Sequence, residues 1–374
     1  MKKNIFRMAV CADIHFQERE RLGILRDGID TRFQDKLDSF KAMIAYAVSN
    51  DVDAVVVLGD AFDYADPGDF VRAQIAKILS PYLKQKSKCF IFLKGNHDGA
   101  GQVSPWLSES YLADGFYVVD RPTVLTEPFD GRFSVLCLPD CVESRDVNVL
   151  KKLKNEFTAS RLHPLVLGHG PIVGMGTEYF KAERGFPVKW FQAMDAELVL
   201  FGDIHKRQMQ TWPSKNGREP RHYGYVGCLC RQKFDEREYE TGFAVVDVGV
   251  SGRTQFDFMD VPDRPFYQFE FNEESTLWAK IPEAVAKPYI KAIFEGSTSW
   301  MHSDGVQNLI THLDARAMRC IVEYRPVHER VKLSLTSKGF SVEDAFEAYV
   351  VKHKVPADMI AVGRELLKST RSQA

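Results

Sequence analysis

Five short segments of the chain place Asp, His and Asn side chains directly after apolar runs. In chain order they are Asp13-Ile14-His15, Gly59-Asp60-Ala61-Phe62-Asp63, Gly95-Asn96-His97-Asp98, Gly168-His169-Gly170 and Gly202-Asp203-Ile204-His205. In open α/β sheets, ligands bind beyond the carboxyl ends of the strands, so we expect these side chains to meet in one crevice. Imidazole, carboxylate and amide donors together are typical ligands of Mn²⁺, Fe²⁺ or Zn²⁺.

A pair of divalent cations is the chemistry that this donor set predicts. Two cations about 3.5–4 Å apart neutralise a phosphate ester, activate a water molecule and support the leaving oxygen. A carboxylate that reaches both cations holds them at that spacing, and Asp60 is the predicted bridge. A single His after a strand is more often a hydrogen-bonded core or surface residue. The ordered set of five segments therefore carries the prediction.

The elements that must position these residues follow from the hydrophobic pattern, in which short apolar runs alternate with amphipathic segments of helical length. We predict strands at 6–12, 54–58, 89–93, 133–138, 165–167, 197–201, 221–226 and 243–248, and helices at 33–49 and 70–84. This alternation indicates an α/β layered domain, with central mixed β-sheets flanked by helices.

A domain boundary is predicted at Val261-Pro262-Asp263-Arg264-Pro265, where two prolines interrupt regular structure. We divide the chain into a catalytic domain (1–262), a small α+β cap (263–335) and C-terminal helices (336–374). In the cap we expect strands at 266–271, 289–294 and 317–324, and helices at 276–285 and 305–313. Apolar residues at helical spacing predict two amphipathic helices within 341–369.

The composition limits the classes of function. With 49 basic and 51 acidic side chains, the net charge of −2 provides no global basic field, so contacts with nucleic acid must come from local clusters. The seven cysteines lack Cys-x-x-Cys spacing, and we expect buried thiols in a cytoplasmic protein, including Cys228 and Cys230, whose alternate positions are those of strand residues that face one core. No apolar stretch is long enough to cross a membrane.

The five segments resemble the motifs of the calcineurin-like metallophosphoesterases: Asp-x-His, Gly-Asp-x-x-Asp, Gly-Asn-His-Asp or -Glu, Gly-His and Gly-His-x-His. Within that superfamily the chain is most similar to the SbcD-type nucleases of double-strand-break repair, on the segments 58–63, 225–234 and 264–267. The resemblance implies an exonuclease or endonuclease that processes DNA ends with two divalent ions, Mn²⁺ or Mg²⁺. The partners it implies are DNA and an SbcC-type ATPase of the SMC class, and a second copy of the chain is a further candidate.

The same resemblance assigns roles to the residues. The first ion is expected on Asp13, His15, Asp60 and His205, and the second on Asp60, Asn96, His169 and Asp203. His97 matches the catalytic histidine, and Asp63 the residue that orients it. Asp203 departs from the motif, which has His there; a harder donor favours Mn²⁺ or Mg²⁺.

Basic side chains near the ligand segments are candidates for DNA contact. They are Arg19, Arg21, Lys206 and Arg207, with Arg26 and Arg32 as further candidates. The alternative at each position is an ordinary solvated charge.

Two alternative functions stay open. One is a phosphoesterase that acts on a small molecule or a phosphoprotein, against which the cap and terminal helices argue. The other is a non-catalytic recruiting subunit in which Asp203 marks a decaying site, against which the other intact ligands argue. We expect the helices within 341–369 to bind the ATPase, in the manner of a helix in a groove; packing on their own domain is the alternative.

Overall fold

The computed structural model describes residues 5–99, 115–129, 131, 133–141, 143–159, 164–177, 181–214, 219–249, 254–281, 287–327, 346–347, 349–350 and 359–364. The strands in chain order are β1 (Ile5–Cys11), β2 (Leu25–Arg26), β3 (Ile29–Asp30), β4 (Ala54–Leu58), β5 (Cys89–Leu93), β6 (Phe116–Val119), β7 (Thr123–Leu125), β8 (Ser134–Leu138), β9 (Pro164–His169), β10 (Leu198–Gly202), β11 (Gln208–Trp212), β12 (Arg221–Tyr225), β13 (Phe243–Gly249), β14 (Thr254–Met259), β15 (Phe266–Asn272), β16 (Tyr289–Gly296) and β17 (Arg319–Pro326). The helices are α1 (Thr31–Ser49), α2 (Gly68–Leu83), α3 (Val147–Ala159), α4 (Val188–Ala193), α5 (Thr298–Met301) and α6 (Asp304–Arg316).

Two six-stranded mixed sheets form the body of the molecule. Their strand orders are β14-β13-β1-β4-β5-β6 and β11-β12-β10-β9-β8-β7. The central pairs β1–β4 and β4–β5 in the first sheet, and β9–β10 in the second, are parallel. Parallel neighbours end at the same edge, so each sheet delivers its loops to one side. The predicted layered α/β class with mixed sheets is confirmed.

The layers follow from the alternation of side chains along each strand. In β4, Val55 and Val57 pack with α1 and α2, whereas Val56 and Leu58 pack against the second sheet. In β9, Val166 lies in the cluster that includes residues of α3 and α4, on the outer face of the second sheet. Because β4 is buried on both faces, its run Ala54–Leu58 is apolar throughout. The order of layers is helix, sheet, sheet, helix.

Helix α1 begins two residues before the predicted start, because Asp30 caps it. The Asp30 carboxylate accepts hydrogen bonds from the amides of Arg32 (2.8 Å) and Phe33 (3.3 Å). A capping carboxylate satisfies amides that have no partner within the helix. The helix buries one apolar face, which includes Phe33, Phe40 and Ile44.

The strands after the proline-rich boundary form a separate parallel sheet, β15-β16-β17. Helix α6 packs on it through Val306, Leu309 and Leu313, within a hydrophobic cluster of its own. The predicted helix at 276–285 is wrong for residues 276–281, which are not helical, and residues 282–286 lie outside the described chain. The cap boundaries themselves stay a prediction.

A buried arginine joins α1 to the cap. The guanidinium of Arg32 is fully buried, donates to the carbonyl of Arg231 and to Asp35, and lies 5.0 Å and 5.3 Å from the ring centroids of Phe266 and Tyr289. Two charge-assisted partners and two aromatic faces replace part of its hydration. The expectation that Arg32 contacts DNA is therefore wrong.

Most of the predicted C-terminal pair of helices falls outside the described residues. Residues 346–347, 349–350 and 359–364 are helical, and the Arg364 guanidinium forms a bidentate ion pair with Glu347 at 2.8 Å. The aromatic ring of Phe346 lies directly against Gly363, where a side chain would collide with it. The described parts of the two helical segments therefore pack on each other.

All seven cysteines are free thiols. Cys228 and Cys230 are fully buried, as expected, but they lie in a turn rather than on a strand, with Cys228 in an isolated bridge to Ala12. Among the described helices, none is both long enough and apolar enough to span a membrane.

Candidate metal centre

Loops from both sheets bring the predicted ligands together at one cleft of about 330 Å³, in which Asp13 and His169 are buried beside the ligands that line it. Asp13 and His15 follow β1, Asp60 follows β4, and Asn96 follows β5 in the first sheet. In the second sheet, His169 ends β9, and Asp203 and His205 follow β10. The parallel register of β9 with β10 sets His169 beside Gly202. The five segments therefore converge as the sequence predicts.

Four of these residues have a left-handed backbone conformation. Their φ angles are 52° at Asp13, 53° at His15, 50° at Asp60 and 99° at Asp203. Such angles are uncommon outside glycine and cost energy that the surrounding structure must compensate. Part of that compensation is hydrogen bonding between loops. The Asp13 amide donates to the Gly59 carbonyl at 3.1 Å, and the Asp203 amide donates to the Asp13 carboxylate at 3.0 Å.

Glycines beside the ligands permit a close approach that no other residue would allow. A Cβ atom on Gly59 would collide with the His169 imidazole, and one on Gly95 would collide with the Asp60 carboxylate. This contact explains why the motifs place glycine directly before Asp60 and Asn96.

The residues predicted for the first ion lie together. One ligand atom from each of Asp13, His15 and His205 falls within 4.8 Å of the others. The Nε2 atoms of His15 and His205 are 3.2 Å apart, and His15 Nε2 is 3.7 Å from Asp60 Oδ2. Three of the four donors thus form one cluster, with Asp60 beside it.

The residues predicted for the second ion form an adjoining cluster. Ligand atoms of Asp13, Asp60 and His169 lie within 4.8 Å of one another. His169 Nε2 is 2.9 Å from Asn96 Oδ1 and 3.5 Å from Asp60 Oδ2. Asp13 adjoins this cluster as well, which the sequence did not predict, while Asp203 lines the same cleft.

The electrostatics of the cleft fit divalent cations. Asp13 and Asp60 are 0% and 3% exposed, and the charged partners described for Asp60 are the imidazoles of His15 and His169. Burial raises the pKa of Asp13 to about 7 and lowers that of His15 to about 4. A charged carboxylate that is buried in this way requires compensation for its lost hydration. A cation held by these same donors would supply it.

The comparison with protein families agrees with this geometry. The model of the calcineurin-like phosphoesterases matches residues 6–207, more than half of the chain and all five ligand segments. This chain belongs to the calcineurin-like phosphoesterases. The family uses divalent metals, so the two clusters are the residues of this phosphoesterase that would hold them; their assignment to individual ions stays a prediction.

One protein sequence and two solved structures are similar to parts of this chain. The phosphoesterase is 36% identical over 147 residues to the DNA double-strand break repair protein Mre11 of Sulfurisphaera tokodaii, a match that covers 38% of this chain and 37% of that protein. The chain thus spans just over a third of that relative. A dimetal phosphatase from Danio rerio is similar with a TM-score of 0.44 and 13% identity, covering 68% of this chain and 99% of that one. A purple acid phosphatase from yellow lupin (Lupinus luteus) has a TM-score of 0.42 and 13% identity, with coverages of 69% and 55%.

The predicted catalytic residue of the phosphoesterase, His97, lies at the mouth of the cleft with 42% of its side chain exposed. Its Nδ1 lies 3.1 Å from the backbone carbonyl of Asp63, so that nitrogen carries the proton. The carboxylate of Asp63 lies nearer to His15 Nδ1 (3.2 Å) than to His97 Nδ1 (3.7 Å). The His15 imidazole lowers the pKa of Asp63. Asp63 thus lies beside His97 with both its carbonyl and its carboxylate, and its role in orienting that histidine stays a prediction.

Two further acidic residues support the ligands, and sequence reasoning gave them no role. The buried carboxylate of Asp98 accepts hydrogen bonds from the amides of Asp60 and Gly95. Glu236 accepts a 2.8 Å hydrogen bond from His205 Nδ1. Burial opposes ionisation of Glu236, but that hydrogen bond lowers its pKa below the ordinary value. Asp98 belongs to the Gly-Asn-His-Asp motif and could have been considered, whereas no local pattern pairs Glu236 with His205.

The basic candidates for DNA contact differ in their surroundings. Arg19 and Arg21 are exposed, and Arg21 lines the cleft. The side chain of Arg207 is 9% exposed, donates to the Thr241 carbonyl and lies over Phe258, with 4.3 Å to the ring centroid. Arg21 is therefore the candidate best placed to meet a substrate, and the role of all of them in DNA binding stays a prediction.

Proposed function

We propose that this phosphoesterase is a metal-dependent DNA nuclease of the SbcD type, which processes DNA ends during repair and recombination. The observation that supports the proposal is the pair of adjoining ligand clusters that meet at Asp13 and Asp60 in an open cleft. The 36% identity to part of an Mre11 protein favours DNA over other phosphate esters. Manganese is the proposed metal, because Asp203 adds a hard oxygen donor to the second cluster.

The chain's own residues define how the cleft would act. Divalent ions, when bound, supply positive charge against the phosphate and lower the pKa of a water molecule. The backbone amide of His97 donates to Asp60 Oδ1 at 2.9 Å, which fixes the histidine beside the predicted bridging carboxylate. With Nδ1 held by the Asp63 carbonyl, Nε2 is the nitrogen that would carry the second proton of the imidazolium and donate it to the leaving oxygen.

Cleavage of defined DNA substrates tests the proposal. We would incubate the protein with end-labelled duplex, single-stranded and hairpin DNA in Mn²⁺, Mg²⁺ or chelator, with Asp60→Asn as the matched inactive control. Mn²⁺-dependent cleavage that the control lacks supports the nuclease. Hydrolysis of a small phosphomonoester without cleavage of any DNA would favour the alternative phosphoesterase. Wild-type protein inactive on all substrates despite bound metal would favour a recruiting subunit.

We propose further that the C-terminal helical segment binds an SbcC-type ATPase. Its described residues expose apolar side chains, with 47% of Tyr349, 62% of Met359 and 58% of Val362 accessible. Exposed apolar side chains on helical segments are suited to a groove on a partner. Truncation after Gly339 should leave hydrolysis of a small phosphodiester unchanged and abolish co-purification with the ATPase. Full binding by the truncated protein would refute this role, and an insoluble product would indicate that the helices pack on their own domain.

A further inference from the structure

The imidazole of His205 is held from behind by a buried carboxylate. His205 Nδ1 lies 2.8 Å from Glu236 Oε1, and Glu236 is 1% exposed. The second oxygen of Glu236 accepts a 2.6 Å hydrogen bond from the Gln232 amide. Both carboxylate oxygens therefore have a donor, and the side chain has one defined orientation.

The three histidines of the ligand clusters differ in this respect. His169 Nδ1 lies 2.7 Å from the carbonyl of Leu58, which is a neutral acceptor. His15 Nδ1 is 3.2 Å from Asp63 Oδ1, but it lacks hydrogen-bond geometry with that oxygen. Among the described ligand histidines, only His205 has a well-formed hydrogen bond to a carboxylate.

The orientation of His205 follows from that bond. A carboxylate can only accept, so the proton of the neutral ring resides on Nδ1. Nε2 then carries the lone pair, and this atom faces His15 Nε2 at 3.2 Å inside the first cluster. Carboxylates behind metal-bound histidines commonly fix the tautomer in this way and increase the basicity of the ligand.

We propose that Glu236 is a positioning residue that prepares His205 as a ligand of the first ion, an inference that rests on the metal site of the proposed function. In this role Glu236 bonds His205 Nδ1 and is not itself a ligand of the ion. It acts through His205, by fixing the proton on Nδ1 and the direction of Nε2.

The segment that carries Glu236 is itself braced on several sides. The Gln232 side-chain amide donates to the carbonyls of Asp13 and Ile14, at 3.3 Å and 3.2 Å, in the loop that supplies the other ligands of the first ion. Phe234 packs edge-on against Phe266 of the cap, with 5.1 Å between the ring centroids. The turn at 232–236 thus supports two ligand loops at once and takes part of its own support from the cap.

The substitution Glu236→Gln tests this role with little change in volume. An amide has one acceptor oxygen, whereas both His205 Nδ1 and the Gln232 amide require one. If the side-chain oxygen stays with the Gln232 amide, the new side-chain N–H group donates to His205 Nδ1. The ring proton then resides on Nε2, which has no lone pair left to bind an ion. We expect the affinity of one of the two metal sites for Mn²⁺ to fall by about 10–100-fold. Asp235→Asn, on the exposed neighbour, is the control and should change neither affinity.

Two readouts separate this role from a structural one. Titration calorimetry with Mn²⁺ gives the two affinities without DNA, and ¹⁵N chemical shifts of the metal-free protein give the tautomer of His205. The inference is supported if the neutral His205 ring of wild-type protein carries its proton on Nδ1 and one metal site of Glu236→Gln binds Mn²⁺ more weakly. A neutral ring with its proton on Nε2 rather than on Nδ1 in wild-type protein would overturn it even if the variant did not fold. A folded Glu236→Gln variant with the same two Mn²⁺ affinities as wild-type protein would overturn the inference and leave the nuclease proposal standing. A wild-type protein that bound no ion would overturn both.

Discussion

The carboxylate of Asp98 accepts a 2.7 Å hydrogen bond from the backbone amide of Asp60, 38 residues away in the chain. Its two oxygens also accept from the amides of Gly95 (2.8 Å) and Phe62 (3.0 Å). One fully buried side chain thus ties the loop after β4 to the loop after β5. Because these loops carry Asp60 and Asn96, the distance between two predicted ligands depends on Asp98.

We predict that Asp98→Asn lowers the free energy of unfolding by about 1–3 kcal/mol, the cost of a buried donor left without an acceptor. The amide nitrogen of Asn would face backbone N–H groups that it cannot accept from. Urea denaturation followed by circular dichroism measures the change. Asp69→Asn is the control, because that side chain is exposed and pairs with Arg72 at the surface. Equal stability of the two variants would contradict the structural role.

Asp60→Asn should abolish hydrolysis of a phosphodiester while the fold persists. The Asn oxygen can still accept from the His97 amide, so local structure is retained, but a neutral amide cannot hold two cations together. Turnover, metal content and the circular dichroism spectrum are the measurements. Wild-type turnover by the folded variant would exclude the two-metal arrangement.

His97→Ser should slow hydrolysis by about 10²–10⁴-fold, the usual contribution of a general acid. Metal content should not change. Metal analysis is decisive here, because a ligand atom of His97 also lies within 4.8 Å of those of His15 and Asp60. Loss of one ion from the purified variant would reassign His97 as a ligand.

Asp203→His should keep activity and shift the preferred metal toward Zn²⁺. Imidazole is a softer donor than carboxylate, and the substitution restores the Gly-His-x-His pattern of the family. Activity titrated against several divalent ions in both forms measures the shift. An identical metal profile would place Asp203 outside the coordination of the second ion.

Metal affinity should rise with pH. Burial raises the pKa of Asp13 to about 7, so this carboxyl is protonated below that pH in the metal-free protein and must lose its proton to bind an ion. Burial alone would lower the pKa of His169, but Asp60 and Asp13 raise it to about 9, so His169 must lose a proton as well. Mn²⁺ affinity should therefore increase between about pH 6 and 9, with release of protons. Calorimetry in buffers of different ionisation enthalpy detects that release; a pH-independent affinity would contradict the prediction.

The strands that carry the ligand loops, and the loops themselves, were predictable because their signals are local. The run Cys89–Leu93 is apolar throughout and matches β5 residue for residue, and the motif after it places Asn96 at the cleft. The helix expected at 276–285 is wrong over its described residues, 276–281, because apolar spacing is a weak guide in a short segment, where tertiary contacts decide the conformation.

The supporting interactions were not predictable, because they join residues far apart in sequence. The Glu236–His205 bond spans 31 residues, and the contact of Arg32 with the Arg231 carbonyl spans 199. The hydrophobic pattern does not predict a buried arginine, because arginine is rarely buried without partners. Only the folded chain brings those partners to it.

The burial of Arg32 makes the cap inseparable from the catalytic half of the molecule. The cation sits on α1, yet the rings of Phe266 and Tyr289 that cover it are encoded more than 200 positions later. Asp35, its anionic partner, also receives a bidentate pair from Arg264. A fragment that stopped at residue 262 would remove the two rings that cover the Arg32 guanidinium. It would also remove the Arg264 partner of Asp35. Evolution can thus exchange this cap for another only if α1 changes with it.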